Sequence, residues 1–178
     1  MRRRKSRTLS MNINEYIEAI LPIAKLCLKE KANNPISYKS SHLWYLYRQA
    51  FYGFADFISL SRYMASSRAF AKYRKIDPSG NIRKRRWFEQ PEFDKGRKKF
   101  HLEHIYTGDM FREAIELLPK NKRIVQGVRD IINREYCVAW ILKEENKLLP
   151  KKKRGKSLQD AFKIYQQAGL RLIGRRNV

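Results

Sequence analysis

Between residues 12 and 31 the apolar positions Ile13, Tyr16, Ile17, Ile20, Leu21, Ala24 and Leu28 recur at steps of three and four, the period of one face of an amphipathic helix. Pro22 falls inside that pattern and is expected to bend or split the helix, because proline has no amide donor for the helical ladder. Asn33-Asn34-Pro35 ends the segment. A longer helical pattern follows from 37 to 76, dense in Trp44, Tyr45, Tyr47, Phe51, Tyr52, Phe54 and Phe57, with Gly53 as the candidate break. Aromatic faces can stack on unpaired bases, but rings at helical spacing are read as core.

Asp77-Pro78-Ser79-Gly80-Asn81 is a turn by composition. Beyond it the pattern changes twice. Residues 99–106 end a short aromatic and aliphatic run that reads as a strand, and Thr107-Gly108-Asp109 then turns into a helix over 110–118 closed by Pro119. A further helix is expected over 124–133, where Asn133 reads as a helix C-terminal residue. The nearly continuous run Glu135-Tyr136-Cys137-Val138-Ala139-Trp140-Ile141-Leu142 has the β-branched and aromatic character of a buried strand. Residues 143–149 form a short helix with its acids in the first turn, where the helix dipole favours them. A last helix begins at Ser157-Leu158-Gln159-Asp160, a near capping box, and Gly169 closes it. The pattern predicts a mostly helical α+β protein. A mobile basic arm (1–10) precedes a single domain (11–178), which divides into a helical part (11–95), a strand-and-helix part (96–150), and a basic loop with the closing helix (151–178).

Charge narrows the function. The chain carries 40 Lys and Arg against 17 Asp and Glu, a net +23, while 43% hydrophobic residues suffice for a core. That surplus points to a polyanionic partner. No apolar run reaches the roughly 20 residues that span a bilayer, and the N-terminus lacks the apolar centre of a signal peptide, so nucleic acid in the cytoplasm is expected rather than a membrane. The two cysteines, Cys27 and Cys137, sit among apolar neighbours without metal-ligand spacing and read as buried hydrophobes.

The candidate chemistry is Glu103-His104. A carboxylate can hold a hard cation through oxygen, and a neutral imidazole beside it can take a proton from water, a combination suited to phosphodiester hydrolysis. Strand alternation places His101 on the face of Glu103, not of His104. If the strand ending here pairs antiparallel with residues 136–142, the following helix can bring Glu144, Glu145 or Asn146 toward the pair and complete a one-cation site. Arg83, Lys84, Arg85 and Arg86, then Lys98 and Lys99, lead into this stretch and are expected to grip a phosphate backbone, as is the run Lys151, Lys152, Lys153, Arg154.

The segments Phe100-His101-Leu102-Glu103-His104-Ile105 and 137–149, with the ending Tyr165-Gln166-Gln167-Ala168-Gly169-Leu170-Arg171-Leu172, resemble the HNH, or ββα-metal, nucleases and in particular the small HNH proteins among type II restriction endonucleases. The resemblance covers roughly residues 98–172. It implies an interrupted ββα-metal motif with a helical insertion, Glu103 as a metal ligand, His104 as the general base, and Glu145 or Asn146 as the helix ligand. It departs from that pattern in the long insertion between the strands and in Thr107, where a proline is often found. The function implied is a divalent-cation-dependent, sequence-specific DNA endonuclease using Mg²⁺, with Mn²⁺ as the substitute. It would act on double-stranded DNA as a homodimer, because one site cuts one strand. The competing expectation is a basic nucleic-acid-binding protein without catalysis.

Overall fold

The computed structural model describes residues 11–118, 125–150, 155 and 157–174, so the basic arm and the run Lys151, Lys152, Lys153, Arg154 lie outside the described residues. Helix α1 (Ile13–Asn33) opens on a reciprocal cap. The Asn12 side chain accepts from the amides of Asn14 and Glu15, and the Glu15 carboxylate accepts from the Asn12 amide. Of the expected bend or split at Pro22 the split does not occur, because the helix runs unbroken through it. Ile17, Ile20, Ala24 and Cys27 are buried along it on both sides of the proline. Packing of that face offsets the missing hydrogen bond.

Helix α2 (His42–Gly53), capped by Ser41, buries Trp44, Tyr47 and Phe51. It gives way after Gly53 to a 3₁₀ turn over Phe54–Asp56. Glycine is required at that position by space, because the Tyr16 hydroxyl, which donates to the Ala50 carbonyl, stands where a β-carbon would be. The expected long helical stretch then breaks again, into strand β1 (Tyr63–Ser66) and helix α3 (Ser67–Arg74).

After the one-turn helix α4 (Gln90–Phe93) come β2 (Phe100–His104), α5 (Gly108–Leu117), α6 (Val125–Glu135), β3 (Val138–Leu142), the one-turn α7 (Lys143–Asn146), α8 (Leu158–Gln167) and the two-residue β4 (Leu172–Ile173). Thr107 caps α5 through its hydroxyl, which accepts from the Met110 amide, a role proline could not fill.

The four strands form one mixed sheet in the order β2-β3-β1-β4. Strands β2 and β3 are antiparallel, as expected, with Phe100 opposite Leu142 and His104 opposite Val138. Strand β1 runs parallel to β3, and β4 antiparallel to β1. Flanked on both sides, β3 is buried at every residue, which is why it reads as a continuous apolar run. Trp140 at its centre donates its indole N–H to the Arg85 carbonyl at 3.0 Å. Helices α1, α2, α5 and α6 pack together, and α3 lies against β1 and β3. The result is a mostly helical α+β fold in which buried side chains from Ile17 to Leu170 form one cluster. Among the described residues no helix is long and apolar enough to cross a membrane.

Candidate active site

Strand β2 has two differently built ends. Before it, Asp94 is buried and accepts hydrogen bonds from the backbone amides of Lys98, Lys99 and Phe100 at 2.9–3.1 Å and from the Gln90 side chain at 3.0 Å. The same Gln90 amide donates to the Phe100 carbonyl at 2.8 Å, so the chain enters the strand in one fixed position. Burial pushes the Asp94 carboxyl upward, but the donors from Phe100, Gln90, Lys99 and Lys98 together outweigh it and hold the group below its ordinary range.

At the other end, alternation sends Glu103 and His101 to one face and His104 to the opposite one. Glu103 is buried, and its Oε2 lies 2.9 Å from His101 Nε2. Across the sheet its register partner is Ala139. The His104 ring packs among Phe51, Tyr52 and Tyr136, with centroids 5.9, 4.6 and 6.0 Å away. The Tyr52 backbone carbonyl accepts a hydrogen bond from this ring. Its Nε2 is buried without a hydrogen-bond partner among the described residues, so the donor is Nδ1. Burial lowers the imidazole to about 4; the Tyr52 bond opposes this and the neighbouring His101 adds to it. His104 is therefore neutral at pH 7, in one tautomer, with the Nε2 lone pair unused. His101, Glu103 and His104 line an open groove that Arg48, Tyr52 and Trp87 also line.

The expected helix ligands are elsewhere. Glu145 is 2% exposed, and its Oε2 accepts from the Ser66 hydroxyl at 2.6 Å and from the Leu142 amide at 2.8 Å. Because Leu142 stands opposite Phe100 while Glu103 stands opposite Ala139, α7 begins at the far end of the hairpin from the Glu-His pair. The set Glu103, Glu145, Asn146 is thus not assembled. One helical turn is too short to fold back along the hairpin, and its buried carboxylate is spent on its own N-terminus and on β1. Among the described residues no group of three or more His, Cys, Asp or Glu is placed to hold a metal ion. Glu103 beside His101 is the one carboxylate and imidazole pair that the expected site retains.

The basic cluster also divides. Arg83 donates to the carbonyls of Tyr63 and Gly174, tying β1 to the turn after β4. Arg85 donates to the Tyr73 hydroxyl and pairs with Asp77, Glu89 and Glu92, and Arg86 donates to the Ala55 carbonyl. These three arginines, expected to grip phosphate, are occupied in the scaffold. Lys84, Lys98 and Lys99 are exposed. Sequence reasoning missed the Tyr52 carbonyl, since a backbone group leaves no trace in composition, and missed Asp94, whose spacing of four from Gln90 was a usable sign. Asn133 is exposed on α6 and takes no part. Comparison with protein-family models, curated proteins and solved structures finds no match for the chain.

Proposed function

We propose that this protein is an endonuclease that hydrolyses phosphodiester bonds of DNA at the Glu103 and His104 end of β2. The observation that carries the reading is His104. It is a neutral imidazole held by the Tyr52 carbonyl, its buried Nε2 without a partner among the described residues, and the residue borders the groove that also holds the Glu103 and His101 pair. In this reaction the Phe51, Tyr52 and Tyr136 walls open to admit water to the buried Nε2, which takes its proton; the water oxygen bonds to phosphorus as the bond to the leaving sugar oxygen breaks, and that oxygen takes a proton from solvent. Glu103 with His101, on the other face of this edge strand, orients the phosphate, and the exposed Lys84, Lys98 and Lys99 offset backbone charge. The net +23 supplies the attraction to a polyanion. The three-ligand set for Mg²⁺ or Mn²⁺ does not form from Glu103, Glu145 and Asn146, and the proton transfer is derived from the chain's own residues. Sequence-specific cutting of double-stranded DNA by a homodimer is the finer form of the same proposal.

A second reading, a basic nucleic-acid-binding protein without catalysis, is favoured by one observation: the apolar walls around His104. Incubation of supercoiled plasmid with the purified protein, with Mg²⁺, with Mn²⁺ and with a chelator, separates the two. Nicked or linear product from wild type, lost in His104→Ala while DNA is still bound, supports the nuclease. Binding without product under every condition leaves the binder.

A further inference from the structure

Next to the Glu103 and His104 groove stands a pair of rings that the core does not use. Trp87 and Phe88 are adjacent and 47% and 49% exposed. Single exposed aromatics are common on protein surfaces, but these two open a 3₁₀ turn (Trp87–Glu89) fixed by the Glu89 carboxylate, which accepts from the Arg86 amide at 2.6 Å. The Arg97 guanidinium lies 3.4 Å from the centre of the Trp87 ring, a close cation contact over the ring. Arg97 is held there by a backbone that side chains rarely adopt. Gly96 has φ +72° and Arg97 itself φ +51°, and the Arg97 amide is anchored on the Asp94 carbonyl at 2.8 Å. A non-glycine residue in the left-handed region is strained, and such strain gathers at functional sites. Among the described residues Arg97 forms no ion pair, and neither do the exposed Lys84, Lys95, Lys98 and Lys99 around it. Trp87 lines the same groove as His101, Glu103 and His104.

We propose that Trp87, backed by Arg97 and flanked by Phe88, is a stacking platform for an unpaired nucleotide, so that the groove takes its nucleic acid with at least one base out of the duplex. An indole with one face covered by a guanidinium offers the remainder to a base, and the surrounding lysines track the phosphates on either side of it. Every base has a π face, so this contact discriminates strand state and not sequence. A paired, stacked base in a duplex cannot present that face. The inference rests on the nucleic-acid reading of the groove but stands against its finer, intact-duplex form: it selects unpaired DNA, whether a single strand, a bubble or a flap.

The test is fluorescence anisotropy in the presence of a chelator, with a labelled oligo(dT) and a blunt duplex of equal length, for wild type, Trp87→Ala and Trp87→Phe. Trp87→Ala is expected to weaken oligo(dT) binding about 10-fold, in line with the loss of one stacked base, and duplex binding by less than about 2-fold. Trp87→Phe should recover most of the affinity. Circular dichroism of the variants checks that the half-exposed position leaves the fold intact. Equal losses on both DNAs, or no loss on either, would overturn the platform. Plasmid cleavage is scored separately: a strand preference without any cleavage removes the nuclease and keeps the platform, whereas cleavage with no Trp87 effect does the reverse.

Discussion

The two ends of β2 carry the same kinds of residue in opposite states. At the Phe100 end two carboxylates, Asp94 and Glu145, are buried with their oxygens consumed by backbone amides and by Gln90 and Ser66. At the Glu103 end a carboxylate meets an imidazole, and a second imidazole keeps a buried nitrogen without a partner among the described residues. A buried polar group is costly unless it is satisfied. The first end therefore reads as construction, while at the second the His104 Nε2 is buried without a partner among the described residues. Residue type alone does not show which buried acids hold the fold; for Asp94 and Glu145 their hydrogen-bond partners do.

The largest expected effect is at His104. His104→Ala should lower cleavage by about 10²–10⁴-fold, the usual range for a positioned general base, with DNA affinity within about 2-fold of wild type; gel quantification of plasmid cleavage beside anisotropy reads both. Asp94→Ala should act at the opposite end and in the opposite currency. It strands three backbone amides at the strand entrance and is expected to lower stability by about 3 kcal/mol, measured by urea unfolding. Its carboxyl titrates below the ordinary range when folded, so its contribution is full at neutral pH and fades as pH falls through that lowered value.

A subtler separation comes from pH. The folded His104 titrates at about 4 against an ordinary 6.5, so between those values the unfolded chain binds the extra proton and the folded one resists it. Its contribution to stability is complete above pH 6.5 and lost progressively as pH falls toward 4. Urea midpoints over that interval should slope downward with acid in wild type and lose that part of the slope in His104→Gln. An NMR titration placing the His104 ring near 6.5 would show that the ring is not desolvated as described.

Much of this architecture is legible in the chain. The α1 face, the Ser157 cap and the turn at Asp77 follow from period and composition, because each is set by local spacing; the antiparallel pairing of β2 with β3 enters the sequence reading only as a condition, and the register supplies it. Strand β1 is hidden: Tyr63-Met64-Ala65-Ser66 is too short to show alternation, and its strand state is imposed by pairing with β3. The site is legible in half. Glu103, His104 and the shared face of Glu103 and His101 follow from adjacency and alternation. The helix ligands do not, because their placement depends on which end of the hairpin α7 meets, and only the register of Phe100 with Leu142 settles that. The basic run 83–86 looks like a phosphate clamp in one dimension, yet its three arginines reach the carbonyls of Tyr63, Gly174 and Ala55, the Tyr73 hydroxyl, and the nearby acids Asp77, Glu89 and Glu92.

The contrast between the two ends is tested most directly by comparing Glu103→Gln with Glu145→Gln in one experiment, with plasmid cleavage and urea unfolding measured on the same preparations. Glu103→Gln is expected to lose cleavage while keeping wild-type stability within about 0.5 kcal/mol, and Glu145→Gln to lose about 1–2 kcal/mol of stability while the folded fraction still cuts. Loss of cleavage in a stably folded Glu145→Gln, with Glu103→Gln fully active, would contradict the assignment and move the chemistry to the other end of the strand.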